Sequence, residues 1–240
     1  LIHIIYNMNN INICYIINDN KKYIELTLKS ISYIQKFFKN SNYSLNFFII
    51  SENKIKLPAF IKNIITPYKD IPLLWQRIYI PQLLKVSRCI FLDSDTITMT
   101  CISKLWEINL NGNITGAVKS FYFEKIKAFD YYNLNFEPFN KITEYYNCGV
   151  QIIDCKKWEE NNITVKMLKL YNDLYDNKHE WYKMDEPVYN AVLSGNVQTL
   201  NKKWNLFPGN RDVRPGILHY YGIYTNKKPV HNEFDKNNFI

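Results

Sequence analysis

The sequence predicts an α/β fold, a mostly parallel sheet flanked by helices, on three observations. Apolar, β-prone runs alternate with segments of helical periodicity, the pattern that parallel strands joined by crossover helices produce. Two of those runs end in polar clusters, Asn18-Asp19-Asn20 and Asp93-Ser94-Asp95, and open α/β sheets bind ligands beyond the carboxyl ends of their strands. The chain is 47% hydrophobic and 22% charged over 240 residues, a balance able to bury a sizeable core. With no internal repeat and no Gly-, Ser- or Pro-rich linker, a single domain over residues 1–240 is expected.

The elements follow in order. A first strand is expected over Asn12–Ile17, stopped by the turn cluster after it. From Lys22 to Phe38, Ile24, Leu28, Ile31, Ile34 and Phe38 recur at helical steps and predict an amphipathic helix. Leu45–Ile50 and Ile61–Ile65 read as further strands. Pro72 opens a helix carrying Leu74, Ile78, Leu83 and Leu84, which Pro81 kinks or divides. Arg88–Leu92 is the strand that delivers Asp93 and Asp95. Ile114–Val118 and Gly149–Ile153 read as strands around an aromatic segment, Phe121–Tyr146, without a clear period. Lys156–Tyr175 reads as one helix with Trp158, Val165, Leu168 and Leu174 on its buried side. A short helix over Pro187–Leu193 ends at Gly195, and Ile217–His219 is a last strand beyond a loop-rich stretch.

Charge and cysteine usage narrow the class. The net charge of +8 comes from 30 basic and 22 acidic residues, but the basic ones are scattered (Lys21, Lys22, Lys54, Lys56, Lys125, Lys127) with no block of five. That argues against a nucleic-acid partner. The abundance of Asn, Ile, Lys and Tyr reflects an AT-rich coding sequence more simply than function. Five cysteines without a C-x-x-C read as reduced thiols in an intracellular, cytoplasmic setting. No run approaches the roughly 18 apolar residues of a transmembrane helix. The first residue is Leu1 rather than Met, which leaves an upstream anchor open.

The densest chemistry lies in Ile90-Phe91-Leu92-Asp93-Ser94-Asp95-Thr96-Ile97. In extended backbone, residues i and i+2 project to one side roughly 6–7 Å apart. Asp93 and Asp95 can then reach one divalent cation, directly or through a water. Paired carboxylates at a strand end are costly unless something positive neutralises them, and a hard metal carrying phosphate is a common solution. On spacing alone, two solvated acids in a turn explain the motif better.

Other punctuation points line up with it: Arg77 within Trp75-Gln76-Arg77-Ile78, Asn147-Cys148-Gly149-Val150, Asp185-Glu186-Pro187 with Asn190, and His219-Tyr220-Tyr221-Gly222 followed by Lys227-Lys228-Pro229. From about Ile11 to Pro229, their order and spacing resembles the family 8 glycosyltransferases, which include glycogenin and bacterial lipopolysaccharide galactosyltransferases and glucosyltransferases. The resemblance implies a GT-A fold with a Rossmann-like, mixed and mostly parallel sheet. It also implies a UDP-sugar donor, manganese (magnesium being the alternative) and transfer with retention to a hydroxyl of a glycan or protein acceptor.

Under that resemblance, Asp93, Asp95 and His219 hold the metal. Carboxylate and imidazole together suit manganese better than magnesium, and a bound metal stabilises a leaving diphosphate without proton transfer. Either Lys227 or Lys228 sits against the diphosphate, Lys69 adds a phosphate contact, Arg77 lies near the diphosphate and sugar, and Ser94 and Gly222 join the nucleotide-sugar site. Four residues separate Gly222 from Lys227, where the family usually has two. Ile16, Asn18, Asp19 and Asn20 would read uracil and ribose, although short polar side chains equally suit a simple turn. Asn147 offers donor and acceptor to sugar hydroxyls, and Gly149 lets backbone approach the ligand. Asp185 falls beside the donor sugar. Glu186 stands where the family usually has Gln, as a nucleophile or as a charge that steadies an oxocarbenium-like centre. Arg77, Asn147, Asp185 and Glu186 are thus the catalytic candidates. The family's acid near Ser120 is missing, which counts against a plain glucose or galactose donor. The competing class is a degenerate relative that binds nucleotide or glycan without turnover, or acts as a structural partner. Both aspartates, His219 and Asp185 argue for the enzyme. The sugar, the acceptor and homo-oligomerisation stay open at this level.

Overall fold

Nine strands run through the described residues: β1 (Asn10–Ile16), β2 (Ser44–Ser51), β3 (Ile61–Ile65), β4 (Arg88–Leu92), β5 (Thr96–Thr98), β6 (Thr115–Lys119), β7 (Tyr146–Asp154), β8 (Val197–Thr199) and β9 (Ile217–His219). The structure, a computed structural model, describes residues 10–40, 42–120, 137–176, 185–208 and 213–220. Seven strands form one sheet in the order β3-β2-β1-β4-β7-β6-β8, and β5 pairs with β9 in a separate ribbon. Within the large sheet, β3, β2, β1 and β4 are mutually parallel, β7 runs antiparallel to both β4 and β6, and β8 is parallel to β6. The expectation of a mixed, mostly parallel sheet holds, with β7 as its reversed strand.

The strands read as near-continuous apolar runs because both faces are covered. Ile11, Ile13 and Tyr15 of β1 join Ile90 and Leu92 of β4 in a core that takes in Ile31 and Ile34 of helix α1 (Lys21–Phe37). Cys14, Cys89 and Phe91 face the opposite core. That second core is closed by a 3₁₀ segment (Leu73–Tyr79) and by helices α2 (Ile80–Leu84), α4 (Cys155–Glu160), α5 (Ile163–Asp176) and α6 (Asp185–Val192). Helix α3 (Ser103–Trp106) belongs to the α1 side. All five cysteines are free thiols, four of them buried. No helix among the described residues is long and apolar enough to cross a membrane.

Helix α1 starts where expected because the Asn20 side chain accepts from the Lys22 N–H at 2.9 Å, a cap worth about 1 kcal/mol. Other expectations need correction. Pro81 lies at the start of α2, where a missing N–H costs nothing, so the Pro72–Leu84 stretch is a 3₁₀ segment followed by a short helix. The stretch expected as one helix over Lys156–Tyr175 is two, α4 and α5, broken at Asn161-Asn162 with Asn162 at φ 53°. Val165 and Leu174 both lie in α5, nine residues or about two and a half turns apart, so they sit on opposite faces and Val165 is exposed while Leu174, like Trp158 of α4, is buried. Asp93 and Asp95 lie in the turn between β4 and β5, beyond the last extended residue Leu92. Their convergence therefore comes from the turn, not from strand pleat. The three-residue strands β5 and β8 carry too little pattern to be seen in the sequence. Of the aromatic segment, residues 121–136 lie outside the described residues.

Candidate active site

The site begins with a register. Thr96 of β5 lies opposite His219 of β9, and the Tyr220 N–H donates to the Asp95 carbonyl at 3.1 Å. A ribbon only three residues long thus carries a histidine from the far end of the sequence onto the D-x-D turn. On the other side, the Asp93 N–H donates to the Gly149 carbonyl at 2.8 Å, continuing the β4–β7 ladder. The turn itself is tightened by the Thr96 hydroxyl, which donates to the Asp93 carbonyl at 2.7 Å.

These constraints place His219 Nε2 3.2 Å from Asp95 Oδ1 and 3.5 Å from Asp93 Oδ2. One ligand atom from each of the three residues lies within 4.8 Å of the others, close enough for a single ion. The donor set, two carboxylate oxygens and an imidazole nitrogen, fits a divalent first-row cation. Burial alone would lower the His219 pKa, but hydrogen bonds to Asp93 and Asp95 prevail and raise it to about 9. The excess negative charge here attracts any cation, a proton included.

Gly149 also packs closely against two members of this cluster. A Cβ there would stand 2.1 Å from His219 Cε1 and 2.7 Å from Asp93 Oδ2. The space a side chain would fill is taken by the His219 imidazole, so Gly149 admits the histidine of this candidate cation site.

A second carboxylate pair sits alongside. Asp185 and Glu186 open α6, where the helix N-terminus favours negative charge. Asn190, one turn on, ties that helix to β7: its Oδ1 accepts from the Tyr146 N–H at 2.6 Å and its Nδ2 donates to the Tyr146 carbonyl at 2.9 Å. Arg77, buried in the 3₁₀ segment, is ion-paired through Nε to Asp185 Oδ2. It also donates to the Cys148 carbonyl at 2.9 Å and holds NH2 3.7 Å from Asp93 Oδ1. Its guanidinium lies over the Phe91 ring. Burial pulls the Arg77 pKa down, yet Asp185 and Asp93 leave it raised and the group charged. Burial pushes Asp185 up to about 6 against the Arg77 charge. Glu186 rises to about 7, chiefly through burial, against the Cys148 N–H that donates to it. The Glu186 Oε2 accepts from that N–H at 3.1 Å and from Asn147 Nδ2 at 3.2 Å.

The structure thus brings Arg77, Asp93, Asp95, Asn147, Gly149, Asp185, Glu186 and His219 into one connected cluster. Ser94 is the residue between the two aspartates, at the turn. Ile16 ends β1, the parallel neighbour of β4, so the 18–20 cluster lies at the same end of the sheet. There the Asn18 Oδ1 accepts from the Asn20 N–H at 3.1 Å, and Asp19 accepts from Asn53 Nδ2 at 3.1 Å. Lys69 is exposed on the loop after β3, a loop tied to Gln76 beside Arg77. Gly222, Lys227 and Lys228 lie outside the described residues. Asn205 escaped the sequence reading altogether. Its Oδ1 is 2.9 Å from His219 Nδ1, and its Nδ2 donates to Asn147 Oδ1 at 2.7 Å. No pattern in Lys202-Lys203-Trp204-Asn205 distinguishes it from an ordinary turn asparagine.

Comparison with known proteins agrees with this architecture. Among solved structures, the chain superposes on the galactosyltransferase LgtC in complex with donor and acceptor sugar analogs with a TM-score of 0.67 at 17% identity, covering 89% of this chain and 88% of that one. It superposes on the apo WbbM bifunctional glycosyltransferase with a TM-score of 0.69 at 17% identity, over 90% of this chain and 46% of that one. These likenesses identify the fold as GT-A. In sequence it is 27% identical over 208 residues to the probable galacturonosyltransferase-like 10 of Arabidopsis thaliana, covering 75% of this chain and 54% of that protein. It is 30% identical over 135 residues to general stress protein A of Bacillus subtilis, covering 55% and 44% respectively. The chain spans about half the length of the curated relatives it matches. The sequence model of Glycosyl transferase family 8 matches residues 5–240, and on that match the chain belongs to this family.

Proposed function

We infer that this chain is a retaining, metal-dependent glycosyltransferase unit that moves a hexosyl group from a UDP-sugar to a hydroxyl of a glycan or protein. The observation that carries the reading is the convergence of Asp93, Asp95 and His219 on one point, with Arg77 bridging to the Asp185–Glu186 pair. A divalent cation held by the three ligands would neutralise charge on the departing diphosphate, and the imidazole in the set favours manganese over magnesium.

The chain's own residues supply orientation and electrostatics. Arg77 is a fixed buried cation whose free-facing edge looks toward Asp93, the side on which the diphosphate would lie. Asp185, closed against that guanidinium, positions it. Glu186 is the less buried of the two carboxylates and accepts hydrogen bonds from Asn147 and the Cys148 N–H. It is the group placed to steady positive charge on the sugar ring, and Asn147 sets its direction. Carboxylates of this kind act on the transition state more than on the bound donor. Ile16 and the 18–20 cluster supply the uridine end, and Ser94, Lys69, Gly222 and the Lys227-Lys228 pair the phosphate contacts.

The test is calorimetry of UDP, GDP and ADP with and without manganese, followed by a panel of UDP-sugars that includes a galacturonosyl donor, since plant relatives carry that activity in their names. UDP should bind most tightly and only with the metal. A turned-over donor should give product of unchanged anomeric configuration by proton NMR. Equal affinity for the three nucleotides sinks the uridine assignment, and binding indifferent to metal sinks the reading as a whole. Binding without hydrolysis or transfer of any donor favours a glycan- or nucleotide-binding relative.

A further inference from the structure

The hydrogen bonds around Asn205 fix which nitrogen of His219 faces the two aspartates. The Gly149 backbone N–H can only donate, and it points at the Asn147 side-chain atom 2.9 Å away, which must therefore be the oxygen. The Asn205 atom 2.7 Å from that oxygen must then be its NH2 group. The other end of the Asn205 amide is consequently an oxygen, a pure acceptor, 2.9 Å from His219 Nδ1. Nδ1 must carry a proton. In the neutral imidazole Nε2 is then bare, and Nε2 is the nitrogen that faces Asp95 at 3.2 Å and Asp93 at 3.5 Å.

Asn205 is suited to hold this arrangement. It is 5% exposed, closes the 3₁₀ segment Lys202–Asn205, and precedes Leu206. Leu206 bonds β9 from the side opposite β5: its N–H donates to the Ile217 carbonyl and its carbonyl accepts from the His219 N–H, both at 3.0 Å. The backbone that positions His219 therefore also positions its amide partner. At its other end Asn205 meets Asn147, whose NH2 donates to Glu186. One unbroken hydrogen-bonded line runs from the ligand imidazole to the carboxylate on the sugar side.

We propose that Asn205 is a positioning residue that locks His219 as the Nδ1–H tautomer for cation binding and sets Asn147 and Glu186 in register with it. The proposal rests on the cation-site reading above. Ligand histidines depend on such partners, and their loss costs about 10- to 100-fold in metal affinity.

Two substitutions separate the two ends of the amide. Asn205→Leu removes both hydrogen bonds, and manganese affinity measured by calorimetry in the presence of UDP should fall about 10- to 100-fold. Asn205→Asp keeps an oxygen for Nδ1–H but cannot donate to Asn147. It should bind manganese at least as tightly as the unaltered protein while turning over donor more slowly. A merely structural asparagine would lower both quantities together in both variants, and that result overturns the proposal, as does unchanged manganese affinity in Asn205→Leu. Should Asn205→Leu not fold, ring-nitrogen NMR of the unaltered protein with zinc as a diamagnetic stand-in decides the matter. The expected signal is a proton on His219 Nδ1 with Nε2 bound to metal, and the reverse tautomer overturns the inference. Asp93→Asn run in parallel separates the two failures. If it leaves manganese affinity unchanged, the cation site itself is wrong, whereas its loss beside an unaffected Asn205→Leu removes only the role of Asn205.

Discussion

Two carboxylate pairs stand at the same end of the sheet and are treated in opposite ways. Asp93 and Asp95 ride on a turn, their side chains 33% and 13% exposed, and share the imidazole of His219. Asp185 and Glu186 ride on the first turn of α6, with Asp185 5% exposed and closed against the guanidinium of Arg77. The first pair carries more negative charge than its surroundings offset, so an added cation improves it. The second is offset from within, by Arg77, by donated hydrogen bonds and by carboxyl groups that hold their protons more tightly than usual. On the function proposed above, the open pair recruits charge and the closed pair places fixed dipoles beside the donor. Arg77 touches both and keeps their spacing.

The strongest way to break this contrast is to remove charge from each pair in turn. Asp93→Asn or Asp95→Asn should weaken manganese-dependent UDP binding by about two orders of magnitude or more, since each deletes an anionic ligand. Asp185→Asn should leave manganese affinity within a few-fold. Calorimetry on all three variants decides it, and equal losses would erase the distinction between the pairs.

The second test moves to turnover. Asp185→Asn loosens the hold on Arg77, and donor hydrolysis or transfer should fall about 100-fold, the scale of losing one electrostatic stabiliser. UDP affinity should change much less, the signature of an interaction realised in the transition state. Affinity and rate lost in proportion would instead make Asp185 a donor-binding group.

The parallel half of this architecture was legible in the sequence, and the site was legible only in part. Strands β1 to β4 announce themselves through runs such as Phe47–Ile50 that are buried on both faces, and α1 through its Ile31 and Ile34 stripe. The rest of the sheet system hides. β5 and β8 are three residues each, and the reversal of β7 depends on what it pairs with rather than on its own residues. Asp93, Asp95 and Asp185 stand in motifs, so residue type and order expose them. Asn205 stands in none. Its role arises from a contact with His219 across the Leu206–Leu218 pairing, and single-sequence reading has no period for that. Gly149 stands out in the sequence as a position of close approach, but its packing against His219 and Asp93 could not be read there, because a missing Cβ does not name what approaches.

Gly149→Ala sharpens the comparison from the open side. The added methyl would start 2.1 Å from His219 Cε1, so the ring or the β7 backbone must move. Overpacking of this kind costs about 1–3 kcal/mol, and manganese affinity should drop about 10-fold, within the range seen when a ligand's support is disturbed. Arg77 and Asp185 are held by other contacts. A variant of normal manganese affinity would show that His219 is not placed by this contact.

The smallest effect belongs to the closed pair and reads out in stability rather than activity. Glu186 holds its proton up to about pH 7 in the folded protein, against an ordinary value of 4.5. A carboxyl whose folded pKa is raised binds its proton more tightly when folded, so the stability it contributes is complete below about pH 4.5 and is lost as pH rises through about 7. Glu186→Gln removes that titration while keeping an oxygen to accept from Asn147 and the Cys148 N–H. Chemical denaturation at pH 5 and pH 8 should therefore show the unaltered protein losing more stability across the interval than the variant, by on the order of 1–2 kcal/mol once partial exposure is allowed for. If Glu186→Gln tracks the unaltered protein at both pH values, the proton is not stored on Glu186, and its carboxylate is already charged in the resting molecule.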